Sequence, residues 1–248
     1  MHVRFDRPMK LLRVLQSQGF GSRKTCMLRV RQGEVAVNGS VCDDPDAEID
    51  LTDLQLTLDA VTWPYRDKAY LLLHKPAGYE CSHRPSHHPS VFSLLPAPLL
   101  QRGVQCIGRL DQDTTGLLLF SDDGQFQHRM ISPKKNVAKV YRARCAEPLT
   151  EAALAALRHG VQLNDEPAPL AALACERVDD CTLILTLAEG KYHQVKRMIA
   201  ATGNSVMALH RQAVGTFRLP DDVPAGHWRW LEPDELRQLE QAWPSVMS

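Results

Sequence analysis

Apolar positions near the start of the chain first repeat with helical spacing and then alternate. A helix is predicted over residues 10–18, because its apolar residues fall on one side: Leu11, Leu12, Val14 and Leu15. Ser22 is a suitable N-cap for a second helix that Gly33 ends. Asn38-Gly39 then stands between short apolar alternations, which is a strong signal for a β-hairpin. The order is therefore helix, basic helix, hairpin.

Beyond residue 68 the pattern changes to short apolar runs separated by turn residues. Strands are predicted at 69–74, 105–110, 116–121, 137–145, 170–178 and 181–187. Helices are predicted at 124–131, 151–158 and 192–202, the last with Tyr192, Val195 and Ile199 packed inward. Strands outnumber helices and many are adjacent. An α+β fold with a mixed, largely antiparallel sheet flanked by helices is favoured over a doubly wound parallel sheet.

Charge divides the chain where the pattern does. The 29 basic and 29 acidic residues cancel overall, but residues 1–42 carry a net charge of +6 and residues 43–66 a net charge of −6. With 44% hydrophobic residues the chain can fill a core, which excludes a disordered protein. We predict a small basic domain at 1–62, of which 1–8 form a possible extension, and a larger domain at 63–248.

Cysteine usage and the lengths of the apolar runs indicate the compartment. The seven cysteines form no C-x-x-C pair, which favours reduced thiols in a cytosol. The apolar runs are much shorter than the roughly 18 residues that a membrane span needs. Cys81, His83, His87 and His88 have no second ligand cluster at zinc spacing. A cytoplasmic protein with no membrane association and no metal site is predicted.

The densest candidate chemistry lies at 108–120, where polar residues are compressed between two apolar strands. Arg109, Asp111, Asp113, Thr114 and Thr115 occupy a connection that needs only turn residues. This composition suits a strained site in which an acid is fixed beside a cation. A plain Arg–Asp pair that closes the loop explains the pattern equally well.

Two later segments favour the functional interpretation. Lys139 and Tyr141 share one face of a predicted strand, because side chains alternate along a strand. Lys191, Lys196 and Arg197 fall near the start of the predicted helix at 192–202.

These segments, in this order, resemble a known family. Residues 9–39 are similar to the S4 RNA-binding domain, and Gly108-Arg109-Leu110-Asp111 with Thr114, Gly116 and the following leucines resembles the RsuA-like pseudouridine synthases of small-subunit rRNA. The likeness spans nearly the whole chain. It implies that the second helix faces RNA phosphates through four side chains, namely Arg23, Lys24, Arg29 and Arg31. Since the S4 pattern begins at Met9, either residues 1–8 are an extension or Met9 is the true start.

The resemblance also implies a reaction, the isomerisation of uridine to pseudouridine in RNA without cofactor or metal. It assigns Asp111 as the essential carboxylate, Tyr141 as the residue stacked on the target base, and Lys196 as the partner of Asp111. Arg109 is expected to occupy the space that the extruded base leaves. The remaining expected substrate contacts are Lys139, Thr115 and Arg197.

The resemblance further implies that the substrate is 16S rRNA, at uridine 516, either naked or in an assembling small subunit, and a monomer is expected. Tyr192-His193-Gln194 is similar to the small-subunit members. Two alternatives stay open: a synthase that acts on 23S rRNA, and a ribosome-binding S4 protein without catalysis. The presence of both Asp111 and Tyr141 disfavours the second alternative.

Overall fold

A computed structural model describes residues 7–132 and 135–241 of the 248-residue chain. It divides into two compact units. The first contains the residues up to Ala69 together with Leu95–Gln105, and the second contains Tyr70–Leu94 and the residues from Cys106 onwards. Most of the possible extension at 1–8 lies outside the described residues. The boundary expected after residue 62 falls inside a strand, and the first unit continues to Ala69.

The first unit contains the predicted helices and hairpin. Its elements are β1 (Met9–Lys10), α1 (Leu11–Ser17), α2 (Arg23–Arg31), β2 (Ala36–Val37), β3 (Ser40–Val41), β4 (Glu48–Ile49), β5 (Gln55–Leu58), β6 (Val61–Pro64) and α3 (Ala97–Gln101). Ser22 caps α2, since its Oγ accepts a hydrogen bond from the backbone N–H of Thr25 at 3.2 Å. Asn38 and Gly39 both have positive φ, as the predicted tight turn requires.

Strands β3, β2, β5 and β6 form an antiparallel sheet in that order. Leu11, Leu15 and Leu54 are fully or almost fully buried in the core of this unit. The segment around α3 belongs to the unit because the Arg102 guanidinium donates to Gln18 Oε1 at 2.8 Å and to the carbonyl of Arg66 at 2.9 Å. No pattern in the sequence indicated that this segment joins the N-terminal unit.

The second unit is built on one large sheet. Its strands are β7 (Tyr70–Lys75), β8 (Gln105–Ile107), β9 (Thr115–Ser121), β10 (Lys139–Cys145), β11 (Ala174–Arg177), β12 (Thr182–Leu187), β13 (Val206–Val214), β14 (Phe217–Arg218) and β15 (Trp228–Trp230). The order is β11-β12-β10-β13-β9-β7-β15, with β8 beside β9 and β14 beside β13. The β13–β9 pairing is parallel, and the other pairings along this order are antiparallel. The predicted mixed, largely antiparallel sheet is confirmed.

The helices of the second unit are α4 (Gly124–Ile131), α5 (Glu151–His159), α6 (Gln194–Ala200) and α7 (Pro233–Glu240), with a short 3-10 turn at Val91–Leu94. One prediction about them is wrong. Tyr192 does not pack inward on α6 but is 71% exposed, because His193 takes a left-handed conformation with φ +48° and the helix begins only at Gln194. No helix in the described ranges is long and apolar enough to cross a bilayer.

Candidate active site

A cavity of about 430 Å³ lies in the second unit, where the loop after β8, strands β10 and β13, and the start of α6 come together. Its lining combines apolar side chains with many charged ones. The polar and charged residues around it are Arg109, Asp111, Thr114, Ser132, Lys139, Tyr141, Glu189, Lys191, His193, Gln194, Lys196 and Arg211. A highly charged cleft of this kind is a typical candidate site.

Asp111 is held between two basic groups. One carboxylate oxygen, Oδ2, lies 3.0 Å from Nζ of Lys196, and the other, Oδ1, lies 3.2 Å from Nε2 of His193. The contact that was predicted between Asp111 and Lys196 is therefore present. The Asp111 side chain is 28% exposed, so that the carboxylate can still be reached from the cavity.

Lys196 also binds a second carboxylate, that of Asp113. Its Nζ donates hydrogen bonds to Oδ1 and Oδ2 of Asp113 at 2.7 and 2.9 Å. Burial alone would lower the pKa of Lys196, but its hydrogen bonds to Asp113 and Asp111 outweigh burial and raise the pKa. Burial likewise acts to raise the pKa of Asp113, and the hydrogen bond from Lys196 reverses this and lowers it. Lys196 thus stays positive and Asp113 negative.

Lys75 fixes the backbone of the loop that carries Asp111. It is fully buried at the end of β7, and its Nζ donates to four carbonyl oxygens at 2.9–3.1 Å, those of Pro76, Asp111, Gln112 and Thr114. Burial lowers the pKa of this ammonium group. The sequence pattern around Lys75-Pro76 indicated only a turn, so its role as an anchor was not foreseen.

Strand β10 places the side chains of Lys139 and Tyr141 in the cavity, as the alternation of side chains along a strand predicts. Tyr141 is only 8% exposed. Burial, together with the positive charge of Arg211, lowers the pKa of Lys139 to about 8, and Glu189 opposes this shift only in part.

Arg211 is the main site residue that the sequence interpretation missed. It lies opposite Tyr141 on β13, is 4% exposed, and donates from Nε to the carbonyl of Leu117 at 2.8 Å. The strand was not predicted because His210, Arg211 and Gln212 interrupt its apolar pattern. Three consecutive polar residues inside an otherwise apolar run were the available signal.

Gly116 allows β9 to approach Arg211. It has φ +107°, and a Cβ atom at this position would lie 2.3 Å from the carbonyl oxygen of Arg211 on the paired strand β13. Only glycine fits both the backbone conformation and the space. Gly116 of the segment at 108–120 is therefore explained by the close packing of β9 against β13.

The loop between β7 and the 3-10 turn contains the cysteine and histidines first considered as metal ligands. The Cys81 sulfur accepts a hydrogen bond from the backbone N–H of Leu110 at 3.5 Å, and His83 stacks on Phe92. Glu80 accepts hydrogen bonds from three backbone N–H groups of the same loop. Within residues 7–132 and 135–241, no three His, Cys, Asp or Glu side chains are grouped so as to hold a metal ion.

Comparison with known proteins decides the family. The model of the family described as RNA pseudouridylate synthase matches residues 69–201, more than half of the chain. The chain belongs to this family. Two relatives are each named ribosomal small subunit pseudouridine synthase A. That of Pasteurella multocida is 38% identical over 84% of this chain and 89% of its own length, and that of Haemophilus influenzae is 36% identical over 88% and 94%.

A solved structure supports the same conclusion. The crystal structure of a pseudouridylate synthase covers 93% of this chain and 99% of its own, with a TM-score of 0.66 and 33% identity. The protein is thus an RNA pseudouridine synthase, an isomerase, and its second unit has the pseudouridine synthase fold.

Two of the synthase's expected substrate contacts lie outside the cavity lining. Thr115 contacts His210 Nδ1 through its hydroxyl at 2.9 Å, because it points away from the cavity that its neighbour Thr114 lines. Arg197 donates to the carbonyl of Tyr192 at 3.2 Å. Arg109 and Lys139 do line the cavity of the synthase.

The basic residues of α2 in the synthase differ in their availability. Arg23, Lys24 and Arg31 are exposed. Arg29 instead forms ion pairs with Glu34, at 3.1 Å, and with Asp59. The charge of Arg29 is therefore largely balanced within the first unit, which weakens the expectation that it contacts phosphate.

Proposed function

We propose that this pseudouridine synthase modifies a uridine in 16S rRNA, with Asp111 as the essential catalytic residue. The observation that carries the assignment is the position of its carboxylate, in the cavity and between Lys196 and His193. The curated relatives named above are described as acting on the small ribosomal subunit, which supports the choice of RNA. Uridine 516 is the proposed target, in naked rRNA or in an assembling subunit.

The reaction redistributes bonds within one nucleotide. The bond between uracil N1 and C1′ breaks, the uracil turns, a bond forms between C5 and C1′, and the proton on C5 leaves while N1 gains one. An ionised carboxylate can attack C1′, add to the ring at C6, or remove the C2′ proton. Lys196 favours each of these routes, because its ammonium group lies 3.0 Å from the Asp111 carboxylate and holds it in the cavity.

Tyr141 and Lys139 complete the site from β10. Tyr141 offers a ring for the uracil to stack on and a phenol that can relay the C5 proton. Lys139 and Arg211 bring positive charge to the same cavity, which suits a phosphate or the uracil carbonyl oxygens. Lys139 is a stronger acid than an exposed lysine, because burial lowers its pKa to about 8.

The target base must leave its stack before Asp111 can reach the ribose, at a cost of roughly a few kcal/mol. Arg109 lies next but one to Asp111 and lines the cavity, so it is placed to occupy the space left in the RNA. We assign the first unit as an S4 domain that contacts phosphates through Arg23, Lys24 and Arg31, with affinity that falls as salt rises.

The test combines a variant with target mapping. Ribosomal RNA from a strain that lacks the protein is treated with carbodiimide and sequenced, and the missing pseudouridine is then restored by expressing wild type, Asp111→Asn or Asp165→Asn. Asp165 is an acid 90% exposed at its side chain and serves as the matched control. Wild type and Asp165→Asn should restore the modification, and Asp111→Asn should not.

Two results would contradict the proposal in different ways. Restoration by Asp111→Asn at the wild-type rate would remove Asp111 from the chemistry. A missing pseudouridine in 23S rather than 16S rRNA would leave the chemistry intact and change the substrate.

A further inference from the structure

Tyr192 presents an aromatic face to solvent beside the cavity. The residue is 71% exposed, and its ring stacks on that of His193 with centroids 3.9 Å apart and planes inclined by 16°. A tyrosine buried on so little of its surface contributes little to folding. The exposed side of the stacked pair is thus open to another flat group.

The turn that carries Tyr192 is held in place from several directions. Arg197 donates to the carbonyl of Tyr192 at 3.2 Å, and Lys191 forms an ion pair with Glu166 at 2.5 Å. The side-chain oxygen of Gln194 accepts from the backbone N–H of Lys191 at 3.0 Å. A flat group that binds here meets a preformed surface, so little ordering entropy is lost on binding.

The stacked pair is joined directly to the candidate catalytic group. His193 contacts the carboxylate of Asp111 through Nε2 at 3.2 Å, and Tyr192 covers the ring of the same histidine. A nucleotide whose ribose lies at Asp111 therefore brings its chain neighbour close to Tyr192. Lys191 and Lys196 line the cavity near the pair, where each forms ion pairs with carboxylates of the protein.

We propose that Tyr192 and His193 form a stacking subsite for the base of the nucleotide adjacent to the target uridine. The inference rests on the proposed function and deepens it. Extrusion of the uridine removes one stacking partner from each neighbouring base, and a protein aromatic ring can replace that partner. Such stacking depends little on base identity, so the subsite contributes affinity for an unstacked RNA strand.

The experiment uses protein-free RNA hairpins that contain the target uridine. One hairpin is intact, one has an abasic site on the 5′ side of the uridine, and one has it on the 3′ side. The full-length wild type, Tyr192→Ala, Tyr192→Phe and Leu173→Ala are titrated against each, and single-turnover rates are measured at saturation. Leu173 is 47% exposed in the same unit and controls for loss of an exposed apolar side chain.

On intact RNA, Tyr192→Ala should weaken binding about tenfold or more, whereas Tyr192→Phe and Leu173→Ala should stay near wild type. The rate at saturation should change little, because the ring does not touch the reacting atoms. On the hairpin that lacks the stacked base, wild type and Tyr192→Ala should bind equally.

The proposal is overturned if Tyr192→Ala binds intact RNA as wild type does, or if it loses the same factor on all three hairpins. A loss seen only with ribosomal particles, and not with naked RNA, would assign the surface to a protein partner instead and also overturn it. Failure of the proposed function is a separate result, namely no pseudouridine from wild type on the intact hairpin. The affinity ratios can be read in that case too.

Discussion

The ammonium group of Lys196 lies 3.0 Å from the carboxylate of Asp111. The same group holds Asp113, so that one cation separates two acids. Its removal would take the shared cation away from both carboxylates, and Asp113 would lose the hydrogen bonds that lower its pKa.

Lys196→Met should therefore reduce the rate of pseudouridine formation at saturating RNA by about a hundredfold or more. Arg197→Met, one residue along α6, is the control, because Arg197 contacts Tyr192 and not Asp111. Its saturating rate should stay within about tenfold of wild type. Equal losses in both variants would indicate damage to the start of α6 rather than loss of the ion pair.

Lys139 gives the stability of the protein a specific dependence on pH. Its pKa is about 8 in the folded state, against 10.5 when exposed, because burial disfavours the charge. Between these values the unfolded chain binds more protons than the folded one, so the free energy of unfolding rises with pH. Below pH 8 the cost of burying the charge is fully present.

Urea denaturation of wild type and Lys139→Met at several pH values from 7 to 10 measures this effect. The stability of wild type relative to the variant should increase across the range. If the free energies of unfolding of the two proteins change in parallel with pH, the pKa of Lys139 is not lowered by folding.

Gly116→Ala should destabilise the second unit by at least about 2 kcal/mol, because the added methyl group would meet the backbone of Arg211 and the residue has positive φ. Gly124→Ala is the matched control. Gly124 begins α4 and has no atom within 4 Å of an added Cβ. Its variant should unfold within about 1 kcal/mol of wild type in either direction. Equal midpoints of denaturation for the two variants would refute the packing argument.

Lys75→Met should lower stability by roughly 2–3 kcal/mol, since four buried or partly buried carbonyl oxygens lose their shared donor. Turnover should fall as well, because two of those carbonyls belong to Asp111 and Gln112. Lys68→Met replaces an exposed lysine and should affect neither property. Chemical denaturation and single-turnover assays at a temperature where both variants are folded separate the two effects.

The sequence predicts best where local rules decide the structure. The cap at Ser22, the turn at Asn38-Gly39 and helix α4 follow from short-range patterns, and the structure has them where they are expected. Hydrophobic periodicity also indicates most strands of the second unit, because their buried faces are continuous.

Prediction fails where polar side chains enter the interior. Strand β13 lies between β10 and β9 in the sheet, yet Arg211 and its polar neighbours conceal it in the sequence. Lys75 was interpreted as part of the turn cluster Lys75-Pro76-Ala77-Gly78, and only its four carbonyl partners explain why this lysine is buried. Tyr192 was placed on a helix because its apolar spacing fits one, and the left-handed backbone of His193 has no signature in that spacing.

Glu80 shows how the exposed loop at 81–90 keeps a defined shape. Both of its carboxylate oxygens accept hydrogen bonds from the loop's own backbone, at Ser86, His87 and His88, and these bonds lower the pKa of Glu80. The Glu80 carboxylate is thus bound by the backbone of its own loop, while the side chains of Arg84, His87 and His88 remain exposed. An RNA strand that approaches this loop therefore meets Arg84, His87 and His88 in a loop that is already ordered. The Glu80 carboxylate does not compete for them, because it is hydrogen-bonded to the loop backbone.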